Sequence, residues 1–427
     1  MNSADAALLD SAGLTGIIKS MNAIVYKDTA KRKEHKTMSF YNMQETNRRV
    51  ANVKKILKEK GLDAAIVYFD QVNVADGWYL TGWCGQFEKG AVLVLADSEP
   101  MLLGGPECEP FAKMCSAIND VRCFKPFMVP EEEYPNATII TFEDLFHELA
   151  GRGIHLKRVG IVGTSYFPYD TYRLIEQGFK GVELVDITDD YDYLRYFKSP
   201  WEVENIRTAF GLTYGALLEM EKKVRPGATE IEVAAAGEFY CRSRNATNFA
   251  FDTMVGAGAK SNAVAPTAGN MQMQAGEMVL LGIAPRFNGY AGVMGDTLPI
   301  SGEYTQEQKD VLNVIREVFR KTRDALKPGE CGKTLDPIGA KIFAKHDWTR
   351  YIVCPFVHGL GLMEAERPFF GPNGTDVLQP GSIVSIDISF FGHPVHHGVR
   401  IETGYLITET GFEPLSPEMD ARLSAEL

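Results

Sequence analysis

Short apolar runs of strand length alternate with amphipathic helical patterns along most of the chain. Ala64–Phe69 and Arg158–Val162 are such runs, whereas residues 47–60 have helical spacing and are followed by Gly61. No run approaches the roughly 20 apolar residues that a membrane-spanning helix needs. The pattern therefore predicts a globular protein built from helices and strands, and it excludes a helical membrane protein.

Charge and cysteine usage limit the possible partners and the compartment. Lys and Arg number 44 against 56 Asp and Glu, which gives a formal charge of −12 and disfavours binding to nucleic acid or an anionic membrane. The first residues lack a basic start before an apolar core, so we expect no signal peptide. Seven scattered cysteines without a C-x-x-C pair are typical of reduced thiols. We therefore expect a cytoplasmic protein.

The chain divides into three predicted segments. Residues 1–45 form an N-terminal extension, which is either a solvated arm or a segment that clasps a second subunit. Residues 46–197 alternate helix and strand and predict an α/β domain. Residues 198–427 begin with a capping box, Ser199-Pro200-Trp201-Glu202, and predict an α+β domain. Strand-rich patterns in this last segment cover 278–300, 351–357, 381–391 and 398–408.

Four ionisable residues interrupt apolar, strand-like stretches of the second half: Asp296, His358, Asp387 and Glu402. A buried charge in a strand must be paired or it costs desolvation energy, so each residue is a candidate for chemistry. Imidazole titrates near neutral pH and can transfer a proton, and a carboxylate can orient it. The structural alternative is that the carboxylates are buried partners of Arg400 or Arg286.

A set of short motifs occurs in a fixed order along residues 46–417. They are Tyr79-Leu80-Thr81-Gly82, Leu194-Arg195-Tyr196-Phe197-Lys198, Pro226-Gly227-Ala228-Thr229-Glu230, Met254-Val255-Gly256-Ala257-Gly258, His358-Gly359-Leu360-Gly361-Leu362 and Gly398-Val399-Arg400-Ile401-Glu402. Together they resemble the pita-bread superfamily of methionine aminopeptidase, aminopeptidase P, prolidase and creatinase. The resemblance implies a creatinase-like α/β N-terminal domain and an α+β pita-bread catalytic domain.

The metal ligands of that superfamily are only partly retained. Its metallopeptidases hold two ions with two Asp, one His and two Glu, and the resemblance places the two Asp positions at Gly282 and Val293. The other three positions hold His358, Asp387 and Glu402. Because a divalent ion needs several hard ligands, we expect no metal and no other cofactor. The alternative is one weakly held ion, with Asp296 as a stand-in ligand.

The leading hypothesis is therefore a metal-independent hydrolase that cleaves a C–N bond of a small nitrogenous metabolite, similar to creatinase or ectoine hydrolase. His358 would transfer the proton, and Glu402, Asp387 and Asp296 would surround the substrate nitrogen. The position of the active His of creatinase holds Thr267 in this chain, which argues against creatine itself as the substrate.

Further residues are candidates for binding a small-molecule substrate. Arg367 offers a planar fork for a carboxylate. The resemblance also implies a homodimer in which first-domain residues of one subunit enter the pocket of the other. The remaining candidates are His396, His397, Phe251, Trp83 and Phe87, the last two contributed by the partner subunit.

Three alternatives remain open. The first is an Xaa-Pro-type metallopeptidase with an altered ligand set, and the second is a lyase acting on a small onium or amino acid substrate. The third is a binding protein without catalysis, for which replacement of His358 would change nothing.

Overall fold

The computed structural model describes residues 41–129 and 136–427. Nearly all of the predicted N-terminal extension therefore lies outside the described residues. In the described part, no helix combines the length and apolar character needed to cross a bilayer. All seven cysteines are described and all are free.

The first half is a layered α/β unit. Its helices are α1 (Met43–Lys60), α2 (Val74–Thr81), α3 (Glu109–Cys115), α4 (Phe142–Gly151), α5 (Tyr169–Gly178) and α6 (Thr188–Tyr193). Its strands are β1 (Ala64–Phe69), β2 (Gly90–Leu95), β3 (Met101–Gly104), β4 (Asp120–Phe124), β5 (Ile139–Ile140), β6 (Arg158–Val162) and β7 (Glu183–Asp186). Among the described residues they form one sheet of seven strands in the order β5-β4-β3-β2-β1-β6-β7.

The second half is built on antiparallel strands. Its helices are α7 (Pro200–Glu221), α8 (Glu230–Arg242), α9 (Gln306–Asp324), α10 (Gly332–Ala344) and α11 (Pro417–Ser424). Its strands are β8 (Asn248–Phe249), β9 (Met254–Ala257), β10 (Met278–Ile283), β11 (Pro285–Phe287), β12 (Tyr290–Ala291), β13 (Met294–Pro299), β14 (Val357–Gly359), β15 (Glu366–Phe369), β16 (Ile383–His393), β17 (His397–Ile407) and β18 (Phe412–Pro414).

A large antiparallel sheet organises this second half. Its order is β15-β14-β16-β17-β13-β10-β9, with β18 paired to the outer part of β17. The helices α7 and α8 pack against each other, and α9 packs on α10 and on β16. The longest pair, β16 and β17, places residues of the two strands directly opposite each other from Ile383 to Phe390. This pair carries two of the predicted ionisable residues.

Local sequence signals account for most element boundaries. Gly61 ends α1 with a φ of 61°, a left-handed conformation that glycine adopts without steric cost. The predicted capping box at Ser199 is present, because its side chain accepts from the backbone of Glu202 and the Glu202 side chain accepts in return. The strand predicted over 351–357 is wrong. Pro355 lacks the N–H that a ladder needs, and the strand begins only at Val357.

Buried charges join the two halves. The Arg195 guanidinium contacts Asp76 of α2 and lies 3.4 Å from Glu366 Oε2, while Lys198 Nζ lies 2.8 Å from Glu366 Oε1. All four side chains are at most 8% exposed. Because each charge has an opposite neighbour, the network fixes β15 to the first half of the molecule.

Two glycines near α7 provide a test of this packing. A Cβ on Gly292 would lie 2.4 Å from the backbone carbon of Ala209 in α7, whereas a Cβ on the exposed Gly211 would meet no atom within 4 Å. We expect Gly292→Ala to lower the free energy of unfolding by about 3 kcal/mol through overpacking. Gly211→Ala should raise it by about 0.5–1 kcal/mol, because alanine favours helix. Urea unfolding followed by circular dichroism measures both, and equal effects would contradict the packing described.

Candidate active site

Three neighbouring strands bring the predicted ionisable residues together. Asp387 of β16 lies directly opposite Glu402 of β17, and His358 of β14 lies opposite Ser385 of β16. Directly paired residues share a face of the sheet, and so do residues two apart on one strand. The three side chains therefore project from the same face at adjacent positions.

The geometry of the group is tight. One ligand atom from each of His358, Asp387 and Glu402 lies within 4.8 Å of the others. His358 Nε2 is 3.4 Å from Glu402 Oε1 and 3.5 Å from Glu364 Oε1. The side chains of Asp387 and Glu402 are buried, whereas those of His358 and Glu364 are 16% and 27% exposed. A small molecule in solvent can therefore reach the imidazole side of the group.

Neighbouring donors hold one oxygen of each buried carboxylate. Ser385 Oγ donates to Glu402 Oε1 at 2.8 Å. Ser389 Oγ donates to Asp387 Oδ1, and Arg400 Nε donates to the same atom at 3.1 Å. Among the described residues, none donates a hydrogen bond to Glu402 Oε2 or Asp387 Oδ2. These two oxygens remain available as ligands.

The imidazole is oriented in the same way. His358 Nδ1 lies 3.1 Å from the carbonyl oxygen of Gly359, and because a carbonyl only accepts, Nδ1 carries the proton. In the neutral ring this leaves the lone pair on Nε2, which faces the carboxylates. A histidine that binds a metal in proteins usually has this second hydrogen bond. Nε2 together with one oxygen from each of the two carboxylates therefore fits one divalent ion.

Hydrogen bonds from buried side chains hold the loop that follows His358, residues 360–365. Arg286 is buried, and its Nη1 donates to the carbonyl oxygens of Leu362 and, at 3.0 Å, of Gly289. Glu366 accepts a backbone N–H of the loop at 3.3 Å. These contacts fix the position of the loop relative to the sheet.

Burial and mutual charge set the pKa values of the group. Burial alone would lower the pKa of His358, but the hydrogen bond to Glu402 and the nearby carboxylates raise it to about 10. Burial raises the pKa of Glu364 to about 7, and it raises the pKa of Asp387 against the opposing charge of Arg400. The pKa of Glu402 is lowered, since the imidazolium outweighs its burial. A cation in the group would compete with the proton on His358.

The structure does not bring Asp296 to this group. Asp296 is the neighbour of Gly295 on β13, and Gly295 pairs with Glu402, so Asp296 projects from the opposite face of the sheet. There its Oδ2 accepts from Arg422 Nε at 2.7 Å. The expectation that Asp296 would stand in as a ligand or surround the substrate is corrected.

Arg367 is likewise paired with carboxylates outside the group around His358. Its Nη1 lies 3.0 Å from both carboxylate oxygens of Asp376, and its Nη2 lies 2.9 Å from Asp189 in the first half. A guanidinium held by two carboxylates is not free to grip a substrate carboxylate. The expected substrate role of Arg367 is corrected to an ion pair between the two halves.

His396 and His397 lie at the tip of the hairpin that connects β16 and β17. His396 and His397 line a cavity of about 220 Å³ together with Ser261 and Glu307. Six residues separate Asp387 from the tip along β16, which corresponds to roughly 20 Å. Both histidines therefore lie away from His358, and their contact with the substrate stays a prediction.

The three aromatic candidates have different surroundings. Phe251 packs at the edge of the buried cluster of Met254, Leu280 and Phe391, which lies on the same face of the large sheet as Glu402. Trp83 is 4% exposed and packs edge-on against Phe69 in the first-half core, so it is not on the surface where it could bind substrate in the pocket of a partner subunit, and that expectation is corrected. Phe87 is 66% exposed, and its contact with a partner subunit stays a prediction.

Sequence reasoning missed three contributors to the group, Glu364, Ser385 and Ser389. Glu364 lies in the loop after His358, and no periodicity marks it as a neighbour of the imidazole. Ser389 is two residues from Asp387, so strand alternation alone predicts that both share a face. Arg400 is the buried charged partner of Asp387, as the structural alternative for this carboxylate predicted.

Comparison with protein families gives two matches that follow each other along the chain. The model of the creatinase/prolidase N-terminal domain matches residues 49–197. The model of metallopeptidase family M24 matches residues 204–409, which contain the whole group around His358.

Named relatives agree with these matches. The Xaa-Pro dipeptidase of Pyrococcus horikoshii is 25% identical over 371 residues, which are 87% of this chain and 97% of the relative. The Xaa-Pro dipeptidase of Pyrococcus furiosus is 27% identical over 295 residues, 67% of this chain and 83% of the relative. The solved prolidase from Pyrococcus furiosus superimposes with a TM-score of 0.71 at 25% identity and covers 85% of this chain and 98% of that structure.

These findings correct the leading hypothesis from the sequence. The matched catalytic family is one of metallopeptidases, and the named relatives are Xaa-Pro dipeptidases rather than creatinase-like amidinohydrolases. The expectation of a metal-independent enzyme is therefore wrong, and the Xaa-Pro-type metallopeptidase alternative is better supported. The expected two-domain fold is confirmed, and so is the class of hydrolase.

Proposed function

Because the chain belongs to the pita-bread superfamily, with a creatinase/prolidase N-terminal domain before an M24 metallopeptidase domain, we propose that it is a metal-dependent hydrolase of Xaa-Pro dipeptides. The observation that carries the proposal is the convergence of His358, Asp387 and Glu402 within 4.8 Å. The Xaa-Pro dipeptidases among the relatives support the substrate class.

Three residues would hold a divalent ion, through His358 Nε2 and one carboxylate oxygen each of Asp387 and Glu402. Such an ion supplies Lewis-acid chemistry, since it polarises a carbonyl and makes a water more acidic. Ser385 and Ser389 keep the two carboxylates in place through their hydroxyl groups. No side chain has to reorganise for the three ligand atoms to meet.

Glu364 is the group best placed to move the proton. Its carboxylate lies 3.5 Å from His358 Nε2, and its side chain reaches solvent while the ligand carboxylates do not. Hydrolysis of a peptide bond needs a base that takes a proton from water and an acid that gives one to the leaving nitrogen. A single partly exposed carboxylate can do both in turn.

The proposal is tested with Ala-Pro as substrate and Ala-Ala as a matched dipeptide without proline. We expect the purified protein to release proline from Ala-Pro and to cleave Ala-Ala much more slowly. Dialysis against EDTA should lower the rate by at least about 100-fold, and Mn²⁺ should restore it, because the ion polarises the scissile carbonyl. Proline release is followed by chromatography. Full activity after EDTA, or no cleavage of any Xaa-Pro dipeptide, would contradict the proposal.

A further inference from the structure

Five directly paired residues cross the large sheet in one row beside His358. In order across the strands they are Met254, Gly282, Gly295, Glu402 and Asp387. Paired residues project from the same face, so this row forms the floor beside the active group. Two adjacent residues of the row, Gly282 of β10 and Gly295 of β13, are glycines. The row therefore has a bare strip without side chains on these two neighbouring strands.

The Arg400 side chain lies over one of these two glycines and reaches the methionine at the end of the row. Arg400 lies two residues before Glu402 and therefore on the same face. A Cβ on Gly295 would be 3.1 Å from Arg400 Cγ and 3.3 Å from Cδ, so the chain of Arg400 passes directly over that glycine. Its Nη1 ends 3.1 Å from the Met254 sulfur at the far side of the strip. Only 7% of the residue is exposed.

Surrounding contacts hold the guanidinium in this position. Its Nε donates to Asp387 Oδ1 and, at 3.2 Å, to Ser389 Oγ. Its carbon Cζ lies 5.6 Å from the ring centre of Phe391, which with Met254 forms an apolar wall. An arginine keeps its proton under all physiological conditions. The strip therefore carries a permanent positive charge beside the ligand group.

The same strip lacks the carboxylates that a second ion would need. The sequence resemblance places the two missing Asp ligands at Gly282 and Val293. Gly282 is one of the two bare positions, and Val293 is an apolar residue with no exposed surface. The residues present therefore fit one ion but do not fit a pair.

Charge balance leads to the same conclusion. The carboxylates of Glu364, Asp387 and Glu402 with the guanidinium of Arg400 carry a formal charge of −2 when His358 is neutral. One divalent cation neutralises this charge. A second would leave a buried excess of two positive charges, which a protein interior does not tolerate without further partners.

We propose that this chain binds a single divalent cation and that the Arg400 guanidinium takes the place of a second one. The inference rests on the metal dependence in the proposed function, but it does not depend on the substrate. Arg400 neutralises part of the charge on Asp387, fills the space above Gly295 and reaches Met254, which lies over Gly282.

Equilibrium dialysis with Co²⁺, followed by elemental analysis, tests the stoichiometry. We expect one cobalt per chain at saturation, both for the natural sequence and for Arg400→Lys, which keeps the positive charge. The double variant Gly282→Asp with Arg400→Gln adds a carboxylate to the strip and removes the cation. We expect that variant to bind a second cobalt, and circular dichroism establishes first that it is folded.

Each outcome decides the inference. Two cobalt ions per chain in the natural sequence, or none, would overturn it, and this count holds even if the double variant does not fold. A folded double variant that still binds one ion would contradict the role of Arg400. A chain that binds one cobalt but cleaves no Xaa-Pro dipeptide would contradict the proposed function and leave this inference intact.

Discussion

Replacing His358 with alanine is expected to lower kcat/KM for Ala-Pro hydrolysis by about 10³-fold or more, equivalent to about 4 kcal/mol of transition-state stabilisation. The substitution removes the one nitrogen ligand of the group and the contact of its Nε2 with Glu402 and Glu364. Loss of bound metal, measured by elemental analysis of the same preparation, should accompany the loss of activity.

His147→Ala is the matched control, because this histidine lies on α4 with a side chain that is 72% exposed. It should leave kcat/KM and metal content unchanged. Comparable activity in His358→Ala and His147→Ala would contradict the catalytic site described. It would favour the alternative of a binding protein, for which His358 has no chemical role.

Replacing Glu366 with glutamine is expected to lower the free energy of unfolding by about 3–5 kcal/mol. The side chain is buried between Lys198 Nζ and Arg195 Nε, and the neutral amide leaves both cations short of an anion. The network joins β15 to the first half of the molecule, so the loop with Glu364 should also lose its anchor. Urea unfolding followed by tryptophan fluorescence measures the loss of stability.

Glu59→Gln provides the control for the charge change itself. Glu59 pairs with Lys55 on the surface of α1 at 3.8 Å, and both side chains are more than half exposed. Exposed pairs of this kind contribute little, because water and salt screen them. A loss of stability in Glu59→Gln as large as that in Glu366→Gln would show that burial is not the cause.

The metal-independent hypothesis was wrong because it gave the two lost ligand positions more weight than the three that remain. Two ligand positions are lost at Gly282 and Val293, but the loss at two positions does not remove the remaining site. Asp387, Glu402 and His358 stay on one face, and one ligand atom from each converges with the others because β14, β16 and β17 are neighbours. The sequence also allowed one ion on these three residues with Asp296 as a stand-in ligand, but Asp296 lies on the opposite face of the sheet.

The sequence by itself determined the local elements and the fold class. Gly61 and the capping boxes at Ser199 and Thr305 define helix ends through backbone and side-chain hydrogen bonds between residues a few positions apart. Strand alternation made Asp387 and Glu402 buried candidates, since period two assigns each residue to a face. These are short-range properties, and any chain with the same local pattern shares them.

Only the tertiary structure decided which charges meet. Arg367 pairs with Asp189 across the two halves, Arg400 lies over Gly295, and Glu364 comes within reach of His358. Each of these contacts depends on strand register or on the packing of the two halves, and neither can be inferred from how far apart the residues are in the sequence. A long flexible side chain pairs with whichever opposite charge lies near it in the folded protein. The partners of Arg367, Arg400 and Glu364 therefore depend on the assembled sheet and not on the order of residues along the chain.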